Sequence, residues 1–108
     1  MKKSDEIIVL KLIGYAEQIL EFVKGLDFEG FSNDTKTLSA SVFNLSQMGE
    51  LVGKFSDAFL EQNSQIPWRK INGLRNRIVH GYDDIQLTMV WQVIDEYLPQ
   101  LIKDLKEI

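Results

Sequence analysis

The residues most able to do chemistry lie in one stretch, GLRNRIVHGYDD, residues 73–84. It sets Arg75, Asn76 and Arg77 ahead of His80, the only histidine in the chain, and follows His80 with Gly81 and Tyr82. An imidazole, with an unperturbed pKa near 6.5, can take or return a proton at neutral pH, and a guanidinium can hold a phosphate and the charge that develops on it. Together they suit cleavage of RNA without a metal: the histidine serves the 2′-hydroxyl or the leaving oxygen, the arginine holds the phosphate, and Asn76 orients either. Five residues separate Arg75 from His80, which on an ideal helix is about 140° around the axis, so the pair does not share a face. Convergence needs a long arginine reaching toward the helix end, or a two-fold dimer that brings two pairs into one cleft. A structural account fits the same residues: a histidine in the last turn before a C-cap glycine, a solvated basic face, and Tyr82 as a half-buried cap. Residue types leave both readings open.

Composition narrows the chemistry. With no cysteine, the chain has no disulfide, thiol nucleophile or thiolate metal site, and one histidine with no HExxH or EF-hand loop gives no reason to expect a metal or other cofactor. The net charge of −4 repels polyanions overall, so any contact with nucleic acid must come from a local patch. One exists: Arg69, Lys70, Arg75 and Arg77 lie between Pro67 and His80 with no acid among them, while residues 83–108 hold six acids against two lysines. Arg69, Lys70 and Arg77 are therefore the candidate RNA-binding residues. No apolar run reaches the length of a membrane span, and the early acids Asp5 and Glu6 argue against a signal peptide, so a cytoplasmic protein is expected.

The 108 residues suffice for one domain, residues 1–108, and hydrophobic periodicity assigns its elements. Ile8, Leu12, Tyr15, Ile19, Phe22 and Leu26 predict a helix over about 5–25, with Ser4 as N-cap and Gly25 near its end. The linker DFEGFSND interrupts the pattern. Leu38, Val42, Leu45, Gly49, Val52, Phe55 and Phe59 then predict a long second helix from Asn33 or Asp34 to about Gln62, with Gly49 as a packing contact. Pro67 suits the first turn of a short third helix running to about His80, which Gly73 could break in two. Leu87, Trp91, Ile94, Leu98, Leu101, Leu105 and Ile108 predict a fourth helix kinked at Pro99. No strand pattern competes. The expected fold is all-α, an antiparallel up-and-down bundle of four main helices. Ile7, Val9, Ile13 and Ile102 are candidates for a dimer face, Trp68 reads as core more readily than as a base-stacking residue, and Asn44 and Glu50 are minor candidates for the cleft.

The run Arg75-Asn76-Arg77-Ile78-Val79-His80-Gly81-Tyr82 resembles the motif of the HepT-like toxins in the HEPN superfamily: arginine, four to six residues, histidine, any residue, tyrosine. The surrounding IPWRKINGLRNRIVHGYDDI resembles the family's central block, and DEYLPQL is similar to a run in its last helix. The segment QMGELVGKFS departs from many relatives, which are more acidic or alanine-rich there. The resemblance implies a helical bundle that forms a homodimer, with Arg75 and His80 as the ribonuclease pair in a shared cleft and Asn76 beside them. It also implies a toxin of a toxin–antitoxin pair, with RNA as substrate and an MntA-like nucleotidyltransferase as antitoxin, able to transfer AMP to Tyr82. The alternative is a non-catalytic nucleotide-binding or adaptor subunit of a minimal nucleotidyltransferase, which would use the same cleft for recognition only.

Overall fold

The computed structural model describes residues 1–78 and 84–108, with side chains described outside 75–78 and 84–85. All regular structure among these residues is helical: α1 (Lys3–Phe22), α2 (Phe28–Asn33), α3 (Thr35–Val52), α4 (Asp57–Gln62), α5 (Trp68–Ile78), α6 (Asp84–Gln92), a π turn (Val93–Tyr97) and α7 (Leu98–Lys106). The all-α bundle expected from periodicity is what forms. α3 packs against both α1 and α5, and α7 packs against α1. The α1–α3 pair is antiparallel, since Asn44 reaches Tyr15 and Gln18 while Ser56, past the end of α3, reaches back to Asp5. Leu12, Ala16 and Ile19 of α1, Leu45 and Met48 of α3, and Ile71 of α5 are sealed from solvent in the centre.

Several boundaries differ from the periodic reading, each for a local reason. Ser4 lies inside α1, and the capping position is Lys2, which supplies no side-chain cap bond. α1 stops at Phe22, and Gly25 takes a left-handed conformation (φ 81°) in the turn that follows, where a side chain would be strained. The linker holds a helix of its own because the Asp27 carboxylate accepts the Gly30 N–H at 2.8 Å. Asp34 caps α3 in the same way, accepting from Thr37 N–H at 3.1 Å, and hydrogen bonding to Thr37, helped by Lys36, holds its pKa below the usual value.

The predicted long second helix is two helices. α3 ends at Val52, and α4 restarts at Asp57 with the Ser56 hydroxyl accepting the Phe59 N–H. A buried carboxylate at the other end of the bundle's first helix holds this break. Asp5, 2% exposed, accepts Ser56 N–H at 2.9 Å and Ser56 Oγ–H at 2.7 Å, which holds its pKa below the ordinary 3.8. Two apolar residues offered as a dimer face, Val9 and Ile102, are instead part of the core, while Ile7 is exposed and Ile13 half-buried. Asn44 does not face a cleft: it is buried, and its amide donates to the Tyr15 carbonyl and to Gln18 Oε1, fastening α3 to α1.

The irregularity expected at Pro99 takes the form of a π turn over Val93–Tyr97, which ends two residues before it. Leu98 N–H donates to the Val93 carbonyl, a bond across five residues, and Pro99 follows in the first turn of α7, where its missing N–H is tolerated. The buried positions Val90, Ile94 and Leu98 are four apart in succession, a spacing that drifts about 40° per step on an α-helix. The wider turn absorbs that drift and keeps Leu98, Leu101 and Leu105 facing the core.

Candidate nucleic-acid interface

The basic segment is built on α5, and its start is fixed by an aromatic cluster. Phe55 and Phe59 stack at 4.2 Å between ring centres, and Trp68 meets Phe55 edge-on at 5.0 Å. Trp68 is buried, and its indole N–H donates to the Asn63 carbonyl at 2.9 Å, so it anchors the core as expected rather than offering a face to a base. From Pro67, whose carbonyl accepts from Lys70 N–H, the helix runs unbroken to Ile78. Gly73 does not divide it. Trp68, Ile71 and Leu74 bury one side, which turns Arg69, Lys70 and Asn72 to solvent.

The structure thus places Arg69 and Lys70 as exposed cations on α5, with no acidic partner among the described residues. Arg75, Asn76 and Arg77 fall within the same helix. By register Arg77 stands seven residues after Lys70, two turns along the same stripe, while Arg75 stands four after Ile71. His80, Gly81 and Tyr82 lie outside the described residues, and so does the predicted C-cap. Glu50 is exposed near the end of α3.

Sequence reasoning missed a groove of about 470 Å³ between α5 and the α6–π-turn segment. Its walls are apolar, formed by Pro67, Leu74, Met89, Val93 and Tyr97, with Lys70, Gln92 and Glu96 as the polar groups. Leu74, at one end of the groove, directly precedes Arg75 in the chain. The Tyr97 hydroxyl is buried with no hydrogen-bond partner among the described residues, and burial, helped by the Asp104 carboxylate, pushes its pKa up to about 12. The signal in the sequence was Pro99, which marked an irregularity but not the side chains that it would turn inward.

α5 carries Arg75 and the exposed cations Arg69 and Lys70, and family comparison decides what the chain belongs to. Residues 12–108 match the family described as ribonuclease HepT-like. The chain belongs to the HepT-like ribonuclease family. It is 36% identical over 92 residues to an RNase candidate of Caldanaerobacter subterraneus subsp. tengcongensis, covering 85% of this chain and 82% of that protein. It is 29% identical over 101 residues to a ribonuclease HepT candidate of Thermococcus cleftensis, covering 94% and 92%, and 27% identical over 107 residues to an RNase candidate of Methanocaldococcus jannaschii, covering 99% and 88%. No solved structure matches the chain. As a HepT-like protein its substrate is RNA, and none of its described helices is long and apolar enough to cross a membrane.

Proposed function

We propose that this HepT-like chain is a metal-independent endoribonuclease toxin, active as a two-fold dimer with Arg75 and His80 of both copies lining one cleft. The observation that carries the reading is the Arg75–His80–Tyr82 spacing in the sequence, with Arg75 on a helix that exposes Arg69 and Lys70, in a chain of the HepT-like ribonuclease family. The His80 imidazole takes the proton of the 2′-hydroxyl, and the freed oxygen attacks phosphorus. The 5′-oxygen leaves and takes a proton from imidazolium, so the products carry 2′,3′-cyclic phosphate and 5′-hydroxyl ends with no water consumed. Arg75 neutralises the charge that builds on the phosphoryl oxygens, Asn76 orients the pair, and Arg69, Lys70 and Arg77 hold neighbouring phosphates.

Control in this reading falls to an MntA-like nucleotidyltransferase antitoxin. It joins AMP from ATP to the Tyr82 oxygen and releases pyrophosphate, which sets negative charge and bulk at the mouth of a site that receives phosphates. The test is RNA cleavage in EDTA by the chain purified without its partner. Cleavage is expected to leave cyclic phosphate ends and to fall at least about 100-fold in His80→Ala and Arg75→Ala; undiminished cleavage by His80→Ala refutes the assignment. On expression in cells, growth arrest lost in Arg75→Ala supports the toxin, and harmless expression of the unaltered chain supports the adaptor. Intact mass after co-expression with the antitoxin should rise in AMP units, and Tyr82→Phe should abolish the rise.

A further inference from the structure

We infer that the groove between α5 and the π-turn segment is a base pocket that selects guanine in the RNA strand leading to the cleavage site. The inference rests on the nuclease reading and adds to it the source of sequence preference. The groove's volume, about 470 Å³, lies within the range of small-ligand sites and takes one nucleotide. Its walls are apolar, formed by Pro67, Leu74, Met89 and Val93, and the Tyr97 ring supplies an aromatic surface of the kind that an unstacked base covers.

Charge points to a nucleic acid as the occupant. Lys70 stands at the groove on the only segment of the chain that carries four cations and no acid, and it has no acidic partner among the described residues. A phosphate held at Lys70, which lines the groove, places its base against the groove walls.

The groove's two other polar groups set the base. Glu96 offers a carboxylate, which accepts hydrogen bonds only, and Gln92 offers an amide that both donates and accepts. Guanine alone presents two adjacent donors, N1–H and N2–H, on its Watson–Crick edge, and a carboxylate takes both. Its neighbouring O6 accepts from the Gln92 amide. Adenine, cytosine and uracil each put an acceptor lone pair where guanine has a donor, against the Glu96 oxygens.

The experiment measures binding of four fluorescein-labelled 2′-O-methyl heptamers, blocked against cleavage and identical except for G, A, C or U at the central position. Wild type should bind the G heptamer about tenfold tighter than the rest. Glu96→Gln, an exposed change, should remove that preference, and Lys70→Glu should weaken all four heptamers alike. Met89→Trp, which fills the groove, should weaken the G heptamer most and leave the mass of the free protein unchanged by light scattering. Equal binding of the four heptamers by wild type, or a G preference that survives Glu96→Gln, overturns the pocket, and so does Met89→Trp changing the mass, which would make the groove a contact between copies. Cleavage in EDTA with no base preference would sink the pocket and leave the nuclease standing; a G preference without cleavage would sink the nuclease instead.

Discussion

At the scale of single residues, two buried polar groups give opposite expectations. Asp5 is fully engaged by Ser56 N–H and Oγ–H, and its folded-state pKa is lowered. Its contribution to stability is therefore complete above about its ordinary 3.8 and is lost as pH falls through the lower folded value. Asp5→Asn should lower the melting temperature at pH 7 and flatten the acid limb of a stability–pH profile. Ser56→Ala removes both hydroxyl bonds, the cap of α4 and the bond to Asp5, and should cost about 1–2 kcal/mol in denaturant unfolding. The Tyr97 hydroxyl, by contrast, is buried without a described partner, so Tyr97→Phe should be neutral or stabilising by up to about 1 kcal/mol at pH 7. Its raised pKa works the other way from that of Asp5: wild type should lose stability as pH rises from 10.0 toward about 12, and Tyr97→Phe should not. Neither role was legible in sequence. An aspartate in a first turn reads as a helix-dipole partner, and its bond to a residue 51 positions away depends on the antiparallel return of α3.

At the scale of elements, the helical stripes were legible because each buries one face at a period of 3.6, and Leu12, Ile19, Leu45, Ile94 and Leu101 are all core. What the period could not show were the interruptions. The α3–α4 break falls within a stripe that continues through it from Val52 to Phe55 and Phe59, so the apolar pattern carries no mark of the turn. Gly73 illustrates the converse, a residue that weakens a helix without breaking it, because Ile71 and Leu74 on either side are anchored in the core. Glycines in this chain separate by backbone. At Gly14 and Gly73 an added Cβ meets nothing within 4 Å, and both lie inside helices, so Gly14→Ala and Gly73→Ala should each stabilise by about 0.5–1 kcal/mol. Gly25→Ala should destabilise by about 1 kcal/mol, since its φ of 81° strains any side chain. Thermal melts of the three variants check the sign of each.

At the scale of the whole molecule, charge is divided between an acidic body and one basic helix. This was readable from the order of residues alone, and the structure adds that Arg69 and Lys70 are solvent-facing on the outer side of α5. RNA binding should weaken with salt, and the double variant Arg69→Ala/Lys70→Ala should lower the slope of log K against log salt by about 1.4, two contacts at roughly 0.7 each on a single strand. An unchanged slope would remove both residues from the interface. The candidate site was half legible: the motif and the basic patch were visible as residue types, whereas the groove needs α5 and the π turn side by side, a relation between segments some twenty residues apart.

The Asp5–Ser56 tie also bears on the order of assembly. It spans 51 positions, so it cannot close cheaply until α1 and α3 have already paired and brought its ends together. Weakening it should leave the refolding rate nearly unchanged and accelerate unfolding, which makes this clasp a brake on the release of the native chain rather than a guide to its formation.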